Sequence, residues 1–271
     1  MVGNESVISA TASTLATYPD RTLLGEDVIW SGTPEQGMLS SHRIFSTATT
    51  QDRNGQHCKV GYRVIADCHA KNNQIDDEWL VRDESAIAKQ LGYSSREYAL
   101  KQIDDQGGLD NCQIPFTADQ DIAGPYLGKG NDDEWGHNYA DILTRIMSSE
   151  FNHIAKAYDR GAALEYPGGI TGHSHAHAEK FWISLRAAFP SATFQIHHQI
   201  GRDDILMPPR AAIRWSLTGK HEGAGMFGSP TQADVHIMGI SHAEFGPWGL
   251  RREYVLLDEV AVWKQILLHQ S

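Results

Sequence analysis

The sequence predicts an α+β fold built from two tandem copies of one small module. Two observations point to it: an internal repeat that runs through most of both halves, and an element order of helix first, then a strand meander, within each copy. The starts are unequal. The second copy carries a long helical lead-in that the first lacks, because Met1 falls roughly where Thr171 stands, so the first module is expected to be truncated at its N-terminus.

The repeat is read from two alignments. Ile75–Leu91 sets over Leu250–Ile266 at a constant offset of 175, with six identities in seventeen positions: Glu78/Glu253, Asp83/Asp258, Glu84/Glu259, Ala86/Ala261, Lys89/Lys264 and Gln90/Gln265. Trp79/Tyr254 is among the like-for-like exchanges. Upstream the offset is 171, matching Ala16/Ala187, Tyr18/Phe189, Pro19/Pro190, Arg43/Arg214 and Thr47/Thr218. The slip falls between Thr50 and Lys59 in copy one, and between His221 and Asp234 in copy two, in turn-rich stretches where insertions are tolerated.

Each element then follows in order. In copy two, Asp132–Tyr158 reads as a helical lead-in, with Trp135, Tyr139, Ile142, Leu143, Ile146, Met147, Ile154 and Tyr158 at helical spacing and Asn131 or Asp132 as N-cap. Ala176–Phe189 is a helix stopped by Pro190. Strands are expected at Thr193–Ile200, Ala211–His221 and Val235–Phe245, then a Gly246-Pro247-Trp248-Gly249 turn, a strand at Leu250–Leu257 and a closing helix at Glu259–Leu268. Copy one repeats this: a helix ending at Tyr18, strands near Leu23–Trp30, His42–Thr50, Val60–Ala70 and Ile75–Val81, and a helix at Glu84–Leu91, with Asn72-Asn73 as the hairpin turn. The boundaries are 1–100 for the incomplete module, 101–130 for the linker and 131–271 for the complete one. The Gly and Pro pairs from about Gln106 to Gly130 mark the linker, which at this length wraps on a module.

Composition narrows the function classes. A formal net charge of −11 argues against a nucleic-acid partner, since phosphate binding is carried largely by Lys and Arg. No apolar run approaches the roughly 20 residues of a membrane span, and no basic amphipathic stretch suits a membrane surface. Met1–Ala16 does not read as a signal peptide, and Cys58, Cys68 and Cys112 have no metal or disulfide spacing, so free thiols in the cytoplasm are expected. There is no GxxxxGK[ST] loop and no GxSxG elbow, so nucleotide and serine-hydrolase chemistry drop out.

The pattern Arg214-Trp-Ser-Leu-Thr-Gly-Lys-His-Glu-Gly, then Ile240, then Glu253-Tyr-x-x-x-Asp258 and Gln265 resembles the SnoaL-like polyketide cyclases of the nuclear-transport-factor-2-like superfamily. Copy one has the same ending, Glu78-Trp-x-x-x-Asp83 and Gln90-Leu-Gly92. The resemblance covers most of copy two and the downstream two-thirds of copy one. It implies cone-shaped (cystatin-like) α+β barrels with a deep apolar pocket, complete only in the second copy. Copy one departs further, having no histidine where His221 stands in copy two.

The resemblance also implies an aspartate that removes a proton alpha to a carbonyl. Asp258 is the candidate base, with His242, His221 or Tyr254 as candidate donors to the enolate. The competing reading makes Asp258 and Asp83 helix N-caps, because each stands immediately before a closing helix. Arg214, Trp215, Glu253 and Trp182 are candidate ligand-binding residues. Arg43, Glu78, Trp79 and Asp83 are their copy-one counterparts and are expected to be structural. Glu253 and Glu78 either face the pocket or pair with Arg214 and Arg43. His173, His175 and His177 do not share one helix face, so no metal or other cofactor is expected, and the histidines are read as pocket-entrance or solvated residues. Two functions remain: cofactor-free acid–base chemistry of cyclase, isomerase or dehydratase type on a small apolar carbonyl compound, or a non-catalytic binding or assembly module. Pairing with the second module, or with a second chain, is expected to cover the incomplete cone.

Overall fold

The structure is a computed structural model and describes residues 4–269. The outermost residues of the two expected modules, including Met1 of the alignment, lie outside the described residues.

Module one runs α1 (Asn4–Thr17), β1 (Thr22–Thr33), β2 (Gly37–Gln51), β3 (His57–Lys71), β4 (Gln74–Arg82), α2 (Glu84–Gln90) and α3 (Ser95–Asp105). Its four strands form an antiparallel meander in chain order. Module two runs α4 (Glu134–Met147), a 3-10 turn at Phe151–His153, α5 (Ile154–Ala157), β5 (Tyr158–Tyr166), β6 (Ile170–His173), α6 (His175–Ala188), β7 (Thr193–Arg202), β8 (Arg210–Lys220), β9 (Asp234–Gly246), β10 (Gly249–Leu257) and α7 (Glu259–His269). Its six strands lie in the order β6-β5-β10-β9-β8-β7, with β5 parallel to β10.

The duplication is written into the strand register. Thr22 faces Thr47 and Thr193 faces Thr218; Arg43 faces Ile65 and Arg214 faces Ile240; Cys68 faces Glu78 and Ala243 faces Glu253. Even the irregularities coincide. The first strand of each meander is bulged, between Gly25 and Asp27 in one module and between Ile196 and His198 in the other. The last hairpin is bulged at matching positions too: Asp76 is the extra residue of β4, opposite the His69–Ala70 step, and its counterpart Arg251 is the extra residue of β10, between Leu250 and Arg252. A bulge adds a residue and re-aims every side chain beyond it, so two coincident bulges preserve which residues face inward.

Three elements differ from the sequence reading. The Ser94 capping box, with Glu97 returning the bond, starts α3, which runs through residue 100, where the sequence reading ended module one. The N-cap of α4 is Asp133, one residue beyond the expected pair, and accepts the Trp135 N–H at 2.9 Å. The lead-in helix stops well short of Tyr158, and two strands, β5 and β6, follow where none was expected. Among the described residues, module one has no counterpart of α4, β5 or β6, so β4 is an edge strand where β10 is not.

The outer faces of the two sheets meet with matched residues. Ile65 and Val81 of module one pack on their own counterparts, Ile240 and Leu256, and Ile29 clusters with its counterpart Ile200. The Arg43 guanidinium lies 3.6 Å from the Tyr254 ring centroid, and its counterpart Arg214 lies 5.0 Å from that of Trp79. This reciprocal exchange is the geometry of a two-fold interface, formed here within one chain. Among the described residues no helix is long and apolar enough to cross a membrane.

Candidate functional site

In module two the space between sheet and helices is filled by side chains. Trp182 and Phe181 of α6 pack with Trp215 and Leu217 of β8, Tyr139 of α4 and Tyr166 of β5 in one buried cluster. Glu253 projects from β10 into this cluster and is completely buried. It makes no pair with Arg214. Instead three phenols donate to its carboxylate: Tyr139 at 3.0 Å, Tyr158 at 2.7 Å and Tyr166 at 2.8 Å. Burial pushes the Glu253 pKa up, and the hydrogen bonds oppose that push. Burial also pushes all three phenols far above their ordinary value, with the adjacent Glu253 adding to the effect, so they remain donors.

Module one is hollow. A cavity of about 710 Å³ opens between the inner face of its sheet and α1, closed on one side by the start of β9 and the first turns of α7. Its position follows from the repeat. At the offset of 171, Phe181, Trp182 and Leu185 of α6 correspond to Ala10, Thr11 and Thr14 of α1, and Trp215 and Leu217 correspond to Ile44 and Ser46. All five module-one residues line the cavity. Smaller side chains at matched positions leave space where the second module has an aromatic plug.

The cavity wall is mostly apolar, through Ile44, Val64, Ala66, Leu80, Ile237, Met238 and Val262. A few polar groups break it. The Tyr62 ring is buried and its hydroxyl has no hydrogen-bond partner among the described residues. Glu78, the counterpart of Glu253, lines the open side. Arg82 donates to Glu84 at 3.3 Å, and both line the wall beside Asp258. Burial raises the Asp258 carboxyl to about 7, with the neighbouring Glu84 carboxylate as the next cause and the Ala261 and Val260 N–H groups opposing. Glu84 is raised as well, chiefly by burial.

Asp258 is therefore both a cap and a cavity residue. Its Oδ1 accepts the Ala261 N–H at 3.0 Å. Asp83 caps α2 in the same way, through the Ala86 N–H at 2.9 Å, but takes two more donors from the turn after β5: Gly168 N–H at 2.7 Å and Gly169 N–H at 3.0 Å. Both glycines have positive φ, a backbone conformation that glycine adopts without the cost a side chain would bring. Asp83 is thus saturated by backbone and buried, while Asp258 lies against the cavity.

The remaining sequence candidates are not brought together at this site. His242 lies buried in the interface between the modules, where Arg43 donates to its Nδ1 at 3.2 Å and its Nε2–H donates to Ser41 at 2.6 Å. Burial and the nearby Arg43 charge hold its pKa well below the usual value, so it is neutral. Tyr254 is on the same outer face, beneath Arg43. His221 pins the β8–β9 loop: its carbonyl accepts the Thr231 and Gln232 N–H groups, and its ring packs against Phe189 and Phe227. Arg43 pairs with Glu26 rather than with Glu78, and Arg214 pairs with Asp121 of the linker. Trp79 stands at the interface near His198 and Tyr126 and also reaches the cavity wall. Trp215 donates to Ser241 at 2.8 Å and, with Trp182, belongs to the module-two plug. Among the described residues no group of three His, Cys, Asp or Glu side chains is placed to hold a metal ion; His175 instead bonds the Tyr158 carbonyl at 2.9 Å.

Sequence reasoning missed Tyr62, Thr11, Ile44 and Ser46. The signal for them was present in the repeat, as small residues facing large ones at matched positions.

Solved structures similar to this chain each cover about half of it. One is a candidate SnoaL-like polyketide cyclase from Jannaschia sp. CCS1, with 12% identity over 50% of this chain and 96% of that one and a TM-score of 0.43. A SnoaL-like polyketide cyclase from Agrobacterium tumefaciens C58 shares 18% identity over 49% and 98%, with a TM-score of 0.39. The candidate polyketide cyclase IdmH from Streptomyces antibioticus shares 15% over 49% and 99%, with a TM-score of 0.40. No family model and no curated protein matches the sequence. The likeness is one of fold.

Proposed function

We propose that the first module holds the working pocket of this protein, that the pocket takes a small, mostly apolar carbonyl compound, and that Asp258 moves a proton on it. The observation that carries this reading is the exchange of an aromatic plug for small side chains between two otherwise register-matched modules. The resulting volume lies within the range of roughly 300–1,000 Å³ usual for small-molecule sites, with an apolar wall and few polar groups. A carboxyl titrating near neutrality beside such a space can both take and return a proton without metal or cofactor. Module two, filled by its own aromatic side chains, serves as scaffold and supplies Asp258 across the interface.

A second reading, binding without chemistry, is favoured by the capping bond to Ala261. One variant separates the two. Asn caps a helix about as well as Asp, so Asp258→Asn keeps the helix start and the cavity but cannot act as a base. The expected outcome is a folded protein that still binds the ligand and has lost at least about 100-fold of its turnover, a typical size for a general-base contribution. Wild-type protein that binds carbonyl compounds and turns none of them over would leave the binding reading in place.

A further inference from the structure

We infer that residues 113–125 form a strap latched by Asp121, and that this strap and a ligand in the module-one cavity hold each other in place through Phe116. The inference rests on the reading that this cavity binds a small molecule, and it goes further by assigning the site a movable wall.

The latch is written into the repeat. At the offset of 171, Arg43 corresponds to Arg214 and Glu26 to His197. Glu26 and His197 are the extra residues of the matching bulges in β1 and β7. In module one that bulge residue is a carboxylate and pairs with its own arginine, Arg43, at 3.2 Å. In module two it is a histidine, and the carboxylate comes from the strap instead. Asp121 pairs with Arg214, accepts a hydrogen bond from His236 Nε2 at 3.2 Å and lies 3.9 Å from His197. The side chains of Asp121 and Arg214 are only 5% and 4% exposed, and Asp121 is the one ion-pair partner of Arg214 among the described residues. An arginine taken this far out of water depends on that partner, so the strap is docked by design of the sequence rather than by chance contact.

The rest of the strap is loosely tied. Upstream it leaves the end of α3, and downstream the Tyr126 N–H donates to Asp77 at 2.6 Å. Between those ends, among the described residues, every hydrogen bond or ion pair from residues 113–125 to either module is made by Asp121. Phe116 lines the cavity, and its ring stands 5.6 Å from that of His236, itself both a cavity residue and a partner of Asp121. His236 is a fixed platform, bonded to Thr218 at 2.7 Å and clasped along its backbone by Gln265. The φ of Phe116 is 37°, in the left-handed region that a bulky side chain keeps only where its surroundings hold it. An occupant of the cavity gains the Phe116 contact only while the strap is docked, so it binds that state more tightly. By linkage, docking of the strap raises ligand affinity by the same factor as the ligand favours docking.

The test uses the full chain, 2-naphthol as the probe with its affinity measured by calorimetry, and short thermolysin pulses read by mass spectrometry. Thermolysin cuts before large apolar residues, and the strap offers it Ile114, Phe116 and Ile122; cleavage there tracks the undocked population. Saturating 2-naphthol is expected to slow strap cleavage in wild type at least about fivefold, the lower end of the usual coupling between two sites. Asp121→Asn should speed strap cleavage without ligand and weaken 2-naphthol binding by at least about fivefold. Phe116→Gly keeps the latch and suits the positive φ, so it tests the coupling even if Asp121→Asn does not fold; it should remove the effect of 2-naphthol on cleavage at Ile114 and Ile122. Thr11→Trp, which restores the residue found at this position in module two, should abolish binding and the protection with it. Strap cleavage unchanged by bound 2-naphthol, protection that survives Phe116→Gly, or a folded Asp121→Asn that binds as tightly as wild type overturns the coupling. If binding is still lost in Thr11→Trp, the cavity reading stands without it. No binding of 2-naphthol by wild type, or binding insensitive to Thr11→Trp, overturns both.

Discussion

Glu253 shows what a completely buried carboxylate requires. Three phenols satisfy it, and each is a donor whose loss leaves an acceptor position dry and unpaired. Tyr158→Phe removes the shortest of these bonds at nearly constant volume, and is expected to cost about 1–3 kcal/mol in denaturant unfolding. An unchanged unfolding midpoint would mean that the network does not hold the module together. Asp258 contributes through pH. Its folded-state value of about 7 lies above the roughly 3.9 of an unfolded aspartate, so the native state binds the extra proton between those limits. Its contribution to stability is complete below about pH 4 and is lost as pH rises through 7. The stability of Asp258→Asn relative to wild type should therefore rise across that window; a difference that is flat with pH would contradict the placement of this carboxyl. Part of this chemistry was legible in the sequence. Asp258 and Asp83 stand where caps stand, and both cap. The pairing of Glu253 was not legible, because two of its three phenols come from β5, a strand hidden behind a helical-looking lead-in.

At the scale of elements, the closing glutamines explain why the ending of each repeat is so alike. Gln90 accepts the Gly61 N–H and donates to the Gly61 carbonyl; Gln265 does the same with His236. Each amide thus clasps the closing helix to the third strand of its meander as a short piece of ladder would. Gln265→Leu strands one buried backbone donor and one acceptor, and should destabilise the chain by about 2–4 kcal/mol, from two groups at roughly 1–2 each. A loss below about 0.5 kcal/mol would show the clasp to be incidental. The identities Lys89/Lys264 and Gln90/Gln265 were read from the sequence as a repeat signature, and the structure supplies the reason for the glutamine. The strands of the meanders were legible because their alternation is clean and their turns are marked by Asn72-Asn73 and by Gly246–Gly249. By contrast β5 begins immediately after a helical turn, and its inward residues Tyr158, Ala162, Leu164 and Tyr166 mix with charged ones over an irregular parallel pairing. Local pattern does not separate such a strand from the end of a helix.

The whole molecule is two copies of one register put to different uses. The pairing of Ile65 and Val81 with Ile240 and Leu256, and the bond of Asp67 to His198 at 2.6 Å, join the sheets back to back. The inner faces are left free to diverge. In module two Trp215 on that face meets Trp182 of α6 and three tyrosines, and the module closes on itself; in module one Ile44 and Ser46 face Thr11 of α1 across a cavity. Sequence comparison between the copies found the duplication and its asymmetry but placed the pocket in the more complete copy. The helices that complete a cone also bring the side chains that fill it, and that balance of volumes depends on packing in three dimensions. The central claim is that the incomplete module is the receptive one, and a crystal structure of the full chain soaked with 2-naphthol tests it most directly. The account predicts ligand density against Tyr62 and Ile44 with the module-two core unchanged. Density between Trp182 and Trp215, with the module-one cavity collapsed or empty, would contradict it.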